Sequence, residues 1–339
     1  MKRKNKTRAC VHIIALACCT LLGCSGSQES ASSGPRIGMM PKLIGIGYFE
    51  ATREGAEEAA RELGIELTYD GPHLDRSEDQ AQQVSEWTTL GFDVIAVAPV
   101  DPEGISEALR DAQRAGVTTL TWDTDANADK SGRSVFVNQA PNEAIGYKLV
   151  DVMAEGIQAK GESLAGNYLI VSGSATASNQ NTWIELMKQR IAEKYPEMKL
   201  LPHLTPNEDR QRAQEQTAEA LAAHAELKGI WGITSVSLPA VAKATRDAKR
   251  AAQVYVTGLS LPSEMREYVK DGTVEQFVLW NPVDLGYLTI QVAHRLHAGN
   301  LKNGAQAMGR LTNVEVRTGE VILGPPMIFN RDNIDDHRF

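Results

Sequence analysis

Short apolar runs rich in β-branched residues alternate with amphipathic helical runs along most of this chain. Residues 92–98 (FDVIAVA) are nearly all apolar, as in a strand that is buried on both faces of a parallel sheet. Residues 103–115 follow, with Ile105, Leu109 and Ala112 on one helical face. Strands and helices that alternate at this spacing indicate βαβ units, so the sequence predicts an α/β fold with parallel sheets.

The alternation restarts near residue 144 and produces more strand–helix units than one ordinary sheet holds. A chain of 339 residues is also longer than most single domains, so we expect two Rossmann-like, doubly wound lobes in tandem. No uncharged apolar run reaches eighteen residues, which argues against a membrane-spanning helix. The predicted elements include strands at residues 36–40, 200–204 and 274–280 and helices at residues 51–63, 210–223 and 285–296.

The first 23 residues have the layout of a secretory signal peptide. A basic start precedes the apolar residues 9–20, and the segment ends in Leu21-Leu22-Gly23-Cys24. This ending resembles the lipobox of bacterial lipoproteins, in which the cysteine becomes the lipid-bearing N-terminus. We therefore expect a signal peptide at residues 1–23, lipidation of Cys24 and a Ser/Gly-rich flexible tether at residues 24–35. The alternative is an ordinary signal peptide that is cleaved nearby.

The cysteines and the charges support export of a soluble body. All four cysteines lie within the first 24 residues, so the remaining chain has no disulfide and depends on its hydrophobic core. Removal of the leader takes away five basic residues and no acidic one, so the formal charge falls from −8 to −13. Such an acidic body argues against nucleic acid as a partner.

Polar and aromatic side chains follow many of the predicted strands, where ligands of open parallel sheets bind. The candidate binding residues are Lys42, Tyr48, Phe49, Asp123, Asn179, Gln180, Ser235, Ser260 and Trp280. This mixture suits a polyhydroxylated ligand, because sugar C–H faces pack on aromatic rings and sugar hydroxyls need fixed donors and acceptors. Each residue also has a structural explanation: Asp123 as a turn residue, Trp280 in the core, Asn179 as a helix cap and Lys42 as a solvated charge.

Common enzyme motifs are missing or incomplete in the sequence. Gly45-Ile46-Gly47 lacks the third glycine of a dinucleotide-binding turn, and neither a nucleophile elbow nor a phosphate-binding loop occurs. His294 and His297 share a helical face but have no evident third metal ligand. We therefore expect no catalytic residue, no cofactor and no metal.

Several segments together resemble the type I periplasmic binding proteins, the ribose-binding-like receptors of ABC importers. The resemblance extends from about residue 36 to residue 339 and is strongest to the branch of rhamnose-binding and autoinducer-2-binding proteins. The segments are Pro41-Lys42-Leu43-Ile44-Gly45, Thr68-Tyr69-Asp70-Gly71-Pro72, Leu120-Thr121-Trp122-Asp123-Thr124-Asp125, Asn138-Gln139, Gln180-Asn181-x-Trp183, Gly272-Thr273-Val274, Leu279-Trp280 and Ile328-Phe329-Asn330.

The resemblance implies two lobes joined by a three-crossing hinge that close on a ligand. The N-terminal lobe would comprise residues 36–138 and about 281–310, and the C-terminal lobe residues 139–280 and about 311–339. It also implies that the nine candidate residues above are the pocket positions.

The chain departs from the autoinducer-2 binders of this branch at three positions. They have Asp where this chain has Asn179, and Pro and Ala where it has Ile233 and Ser235, although Lys42, Asp123 and Gln180 match. Exchanging a carboxylate for an amide changes the preferred hydroxyl pattern, so a monosaccharide is favoured and autoinducer-2 is the alternative. Thr124 and Asn179 stand where a ribose-type pocket would have arginines, which disfavours ribose itself.

The sequence thus predicts a monomeric, lipid-anchored receptor that captures a sugar at the periplasmic face of a bacterial membrane and delivers it to a permease. An enzyme using Asp123 and Asp125 as a carboxylate pair is the alternative of another class. A repressor of the same fold is excluded because a leader stands in place of DNA-binding helices. A receptor that feeds a sensor kinase instead of a permease would have the same sequence features.

Overall fold

The computed structural model describes residues 34–339, so the predicted leader, Cys24 and most of the tether lie outside the described residues. The strands are β1 (Arg36–Met40), β2 (Glu66–Tyr69), β3 (Val94–Val97), β4 (Thr118–Trp122), β5 (Phe136–Asn138), β6 (Gly166–Val171), β7 (Met198–Leu200), β8 (Leu227–Gly232), β9 (Tyr255–Gly258), β10 (Gln276–Leu279), β11 (Gly304–Met308), β12 (Leu311–Arg317), β13 (Glu320–Ile322) and β14 (Met327–Asn330). The helices are α1 (Gly47–Leu63), α2 (Ser77–Thr89), α3 (Ser106–Arg114), α4 (Ala128–Ser131), α5 (Asn142–Ala159), α6 (Ser178–Lys194), α7 (Arg210–Ala223), α8 (Ser237–Asp247), α9 (Pro262–Asp271) and α10 (Pro282–His297).

The larger sheet has eight strands in the order β11-β12-β13-β5-β4-β3-β1-β2. Its pairs from β13 to β2 are parallel, and only β11–β12 and β12–β13 are antiparallel. The interior strand β3, between β4 and β1, is buried along its whole length, as its continuous apolar run predicts.

The smaller sheet has the parallel order β7-β6-β8-β9. An isolated parallel bridge from Leu259 to Val278 connects the end of β9 to β10, which pairs antiparallel with β14. Two mostly parallel sheets with helical crossovers confirm the predicted fold class. Within residues 34–339, no helix is long and apolar enough to cross a membrane.

The chain passes between the two sheets after β5, after β10 and after β13. The third passage differs from the predicted lobe boundary at residue 310, because β12 and β13 continue the larger sheet as far as Ile322. Pairing of β13 with β5 buries Val321 and explains the difference. Local sequence does not reveal this pairing, since the two strands are about 180 residues apart.

Helix α10 follows the second passage and lies against α1. Asn281 caps its start by accepting hydrogen bonds from the backbone N–H groups of Val283 (3.0 Å) and Asp284 (3.3 Å), and Pro282 supplies a favourable first helical residue. The cap fixes the point at which the chain leaves β10, and it thereby positions Trp280 between the two sheets.

Candidate functional site

Two charged candidates lie just beyond strands of the larger sheet. Lys42 follows β1 after the Pro41 stop, and Asp123 directly follows β4 with a left-handed backbone conformation (φ 60°). Few residues other than glycine adopt this conformation, and Asp and Asn are among those that do. The bend at Asp123 directs its carboxylate toward Lys42, whose Nζ lies 3.5 Å from Asp123 Oδ2.

Asn179 and Gln180 approach the same place from the first turn of α6. Lys42 Nζ donates to Asn179 Oδ1 (3.1 Å), and Asn179 Nδ2 contacts the backbone carbonyl of Asp123 at 3.4 Å. All three side chains are buried. Lys42 therefore connects the loop after β4 with α6, across the gap between the two sheets.

Aromatic side chains form one wall of this gap. Tyr48 and Phe49, in the first turn of α1, meet edge to face with ring centroids 5.1 Å apart. Tyr48 meets the Trp280 ring in the same way at 6.1 Å, and Trp183 lies 5.9 Å from Trp280. Both geometries are favourable for aromatic pairs and leave ring surface facing the gap.

A chain of hydrogen bonds links this wall to Asp123. Trp280 Nε1 donates to the Tyr48 hydroxyl (2.8 Å), which donates to Asp123 Oδ1 (2.9 Å), and Thr124 Oγ1 donates to Asp123 Oδ2 (3.2 Å). Burial, followed by the nearby Asp123 charge, holds the pKa of Tyr48 well above its usual value, so the phenol stays protonated as a donor. Each carboxylate oxygen retains lone pairs for a ligand hydroxyl.

Gln180 is held by its own loop. Its Oε1 accepts from Ser172 Oγ and from the Gly173 N–H, both at 2.9 Å, and its Nε2 donates to Glu208 Oε1 at 2.9 Å. Glu208 lies in the loop that precedes α7, and burial raises the pKa of its carboxyl group. Gln180 thereby fixes the position of a second carboxylate in the gap.

These groups surround one cavity. The structure brings eight of the nine candidates to this cavity: Lys42, Tyr48, Phe49, Asp123, Asn179, Gln180, Ser235 and Trp280. Ser260 does not line it; its side chain is fully buried, and its Oγ lies 3.3 Å from the backbone carbonyl of Ser235. Ser260 therefore supports the loop that carries Ser235.

The cavity has further lining residues that were not among the candidates: Leu43, Ile46, Trp183, Glu208, Ile233, Thr234, Leu259 and Leu279. For Trp183 a signal existed, because it lies one helical turn after Asn179 and Gln180 on α6. For Glu208 the sequence offered none, since the conformation of the loop after β7 decides where it points.

The carboxylate-pair alternative fails on geometry. Asp125 accepts from Thr121 Oγ1 (2.6 Å) and pairs with Arg133, whose Nε lies 2.6 Å from Asp125 Oδ1. It does not line the cavity that Asp123 faces. The two aspartates therefore cannot act on one glycosidic bond.

The loops of the two sheets touch around the cavity. Ser178 Oγ lies 3.4 Å from the backbone carbonyl of Asp125, and Thr176 Oγ1 lies 3.4 Å from that of Val100. The side chain of Leu261 approaches within 3.2 Å of the position where a Cβ on Gly47 would lie. This arrangement is a closed one, in which a ligand would contact both sheets. In the described part of the chain, no three metal-ligating side chains come together.

Comparison with known proteins identifies the family. The periplasmic binding protein domain pattern matches residues 37–301. The chain belongs to the periplasmic binding protein family. It is thus a binding protein and not an enzyme, and the resemblance noted from its sequence segments is confirmed.

The relatives of this family member include sugar-binding proteins. It is 26% identical over 320 residues to the D-ribose/D-allose-binding protein of Pseudomonas aeruginosa. The aligned part covers 88% of this chain and 93% of that protein. Among solved structures it is similar to LsrB from Clostridium saccharobutylicum in complex with AI-2, with 26% identity, a TM-score of 0.85 and coverage of 90% and 100% of the two chains. An ABC transporter solute-binding protein from Clostridium phytofermentas with bound L-rhamnose is 29% identical, with a TM-score of 0.81 and coverage of 89% and 98%.

Proposed function

We propose that this protein is the solute-binding component of an ABC importer and binds a monosaccharide in the cavity between its two sheets. The observation that carries this proposal is the position of Asp123, which faces the cavity beside Lys42 and the aromatic wall. An ionised carboxylate accepts from two adjacent hydroxyls, and each such bond is worth about 1.5–3 kcal/mol. Micromolar binding requires about 8 kcal/mol, so these two bonds and an aromatic contact supply part of it, and further hydrogen bonds from both sheets must supply the rest.

The ligand would favour the closed arrangement because it contacts both sheets at once. Phe49 and Asp123 bind it from the larger sheet, and Gln180 and Ser235 bind it from the smaller one. A ligand shifts an opening equilibrium only by its difference in affinity for the two forms, and contacts from both sides supply that difference. Opening releases the sugar to the permease.

A deoxyhexose such as L-rhamnose is the favoured class of sugar, in line with the relative that is bound to it. Autoinducer-2 is the second candidate, supported by the similarity to the complex with AI-2. Asn179 favours the first, because its amide presents a donor where the sequence resemblance to autoinducer-2 binders implies a carboxylate.

We also propose how the chain is divided into lobes and how it is anchored. The N-terminal lobe would comprise residues 36–138 and 281–322, and the C-terminal lobe residues 139–280 and 323–339, divided where the chain passes between the sheets. Cys24 would carry the lipid anchor at the periplasmic face of the membrane, and the protein would act as a monomer. The lipid anchor rests on the lipobox-like leader, and the lobe boundaries rest on the sheet topology.

A ligand screen tests the proposed function. We expect thermal-shift measurements against pentoses, hexoses, deoxyhexoses and autoinducer-2 to give a rise in Tm for at least one monosaccharide, without turnover of that sugar. Calorimetry with the best ligand should give one site per chain and a Kd in the micromolar range or tighter. Stabilisation by autoinducer-2 alone would select the second candidate, and the absence of any shift would refute both.

Tyr48 offers a test of the hydrogen-bond chain. Replacing it by Phe leaves Asp123 Oδ1 and Trp280 Nε1 without their shared partner, and each unpaired buried group costs about 1–3 kcal/mol. We expect Tyr48→Phe to lower the free energy of unfolding and to weaken sugar binding by about tenfold. The matched control is Tyr147→Phe, since the Tyr147 hydroxyl has no hydrogen-bond partner within residues 34–339. Equal sugar affinities in the two variants would disprove a role of the Trp280–Tyr48–Asp123 hydrogen bonds in binding.

A further inference from the structure

Glu208 enters the cavity from an unusual turn. Asn207 and Glu208 both adopt left-handed backbone conformations, with φ values of 59° and 54°. Consecutive non-glycine residues in this region are costly, and such conformations persist where the surroundings enforce them. The turn brings the Glu208 side chain to Gln180 Nε2, 2.9 Å from Glu208 Oε1.

The smaller sheet leaves space for this carboxylate. A Cβ at Gly173 would lie 1.9 Å from Glu208 Oε1, so a larger residue at position 173 would displace the side chain. The same residue, Gly173, donates its N–H to Gln180 Oε1 and so helps to orient the amide that holds Glu208. The Glu208 carboxylate is therefore positioned by the turn at Asn207 and Glu208, by the space that Gly173 leaves and by the amide of Gln180.

The charges that line the cavity do not balance. Lys42 is the only Lys, Arg or His among the lining residues, all of which are described, and its Nζ is paired with Asp123. Glu208 forms no ion pair with any residue in the described range 34–339, and the amide of Gln180 is its hydrogen-bond partner. With Glu208 ionised, two carboxylates face one ammonium group, and the cavity then has a net negative charge that repels anions.

The structure assigns Glu208 the role of a specificity-determining residue: it accepts a hydrogen bond from a ligand hydroxyl at the part of the cavity formed by the smaller sheet, and its charge excludes anionic ligands. The substrate class is then an uncharged polyhydroxy compound and not a sugar acid or a sugar phosphate. This inference rests on the proposed function and adds the side of the ligand that the smaller sheet recognises.

Calorimetry of the full chain and its Glu208→Gln variant tests this role. The ligands are the neutral sugar with the largest thermal shift and, as anionic probes, galacturonate and ribose 5-phosphate. We expect the wild type to bind the neutral sugar at least 100-fold more tightly than either anion, and Glu208→Gln to bind the neutral sugar at least tenfold more weakly. The matched control is Asp209→Asn, since Asp209 is the exposed cap of α7 and Asn caps a helix equally well. It should keep the wild-type Kd within about twofold.

Two further readouts separate binding from a structural role. Removal of a desolvated carboxylate should leave the Tm of the unliganded protein unchanged or higher, whereas a structural role would lower it. Burial raises the pKa of Glu208, opposed by its hydrogen bond to Gln180, by the Lys42 charge and by a hydrogen bond with Thr234, while Asp75 raises it further. Wild-type affinity should therefore fall as the pH is lowered, beginning above the usual range of a glutamate. The variant retains Lys42, Asp75, Asp123 and Tyr48, so the difference between the two profiles reports Glu208.

The outcomes are distinguishable. If the wild type binds no sugar, the proposed function fails and the role of Glu208 fails with it. If the wild type binds sugar and Glu208→Gln binds it equally well, or if the wild type binds the anionic probes as tightly as the neutral sugar, the inference alone is overturned.

Discussion

Replacement of Asp123 by Asn is expected to weaken sugar binding by at least about 100-fold. Asp123 is the carboxylate of the larger sheet that faces the cavity, and its two oxygens are already oriented by Tyr48 and Thr124. The substitution keeps the shape of the side chain but removes the charge and turns one acceptor into a donor. The measurement is calorimetry with the sugar that the ligand screen identifies.

Asn is the appropriate replacement because of the backbone. Asp123 has a φ of 60°, which Asn tolerates and Ala does not, so Asp123→Asn separates the loss of charge from the strain of the turn. Asp125→Asn is the matched control. It weakens the pair with Arg133 outside the cavity, so it should lower the Tm while leaving the Kd unchanged. Retention of near wild-type affinity by Asp123→Asn would remove Asp123 from the binding site.

The largest expected effect on stability is at the contact between α1 and α10. A Cβ at Gly286 would lie 1.8 Å from the backbone carbonyl oxygen of Thr52, and one at Gly55 would lie 1.7 Å from that of Val283. The two helices therefore approach with backbone against backbone. Gly286→Ala should lower the free energy of unfolding by at least about 3 kcal/mol, because a backbone, unlike the end of a flexible side chain, cannot move aside locally.

The sign of this effect makes the test decisive. In a helix that has no such contact, Ala is about 1 kcal/mol better than Gly, so Gly286→Ala would be stabilising if the helices lay farther apart. Urea unfolding monitored by circular dichroism measures the difference from the shift in midpoint at constant m-value. Gly324→Ala is the control, because a Cβ there meets no atom within 4 Å, and it should change stability by less than about 0.5 kcal/mol.

Individual elements show how far the sequence predicted the fold. The helix expected at residues 210–223 has those bounds in the structure, where Asp209 caps it by accepting from the Arg212 N–H. The helix expected at residues 51–63 begins four residues earlier, at Gly47, and its first turn carries Tyr48 and Phe49 into the gap between the sheets. The sequence did not predict this start, because the residues before 51 do not continue the helical spacing of the apolar residues.

The antiparallel strands near the C-terminus were not predicted. β11 has five residues and β12 has seven, and both are largely exposed. Their hydrogen bonds are made to each other and to β13 rather than within one βαβ unit. Hydrophobic periodicity indicates a strand only when one face is buried, and these strands bury few residues. The lobe boundary was therefore expected too early along the chain.

The position of candidate residues after strands could be predicted, because the carboxyl ends of parallel strands meet at one edge. The same rule also selected Ser260, although the structure directs its hydroxyl toward the Ser235 backbone and away from the cavity. The rule places a residue at the sheet edge but does not determine the direction of its side chain, which depends on the neighbouring loops.

By itself, the sequence determined the alternation of strands and helices, the fold class and the family, because apolar periodicity and local motifs are properties of short segments. Only the tertiary structure decided which polar groups share the cavity, that Asp125 pairs with Arg133 outside it, and that Glu208 lines it. Those contacts join residues far apart in the chain, and their geometry depends on how loops from two sheets meet.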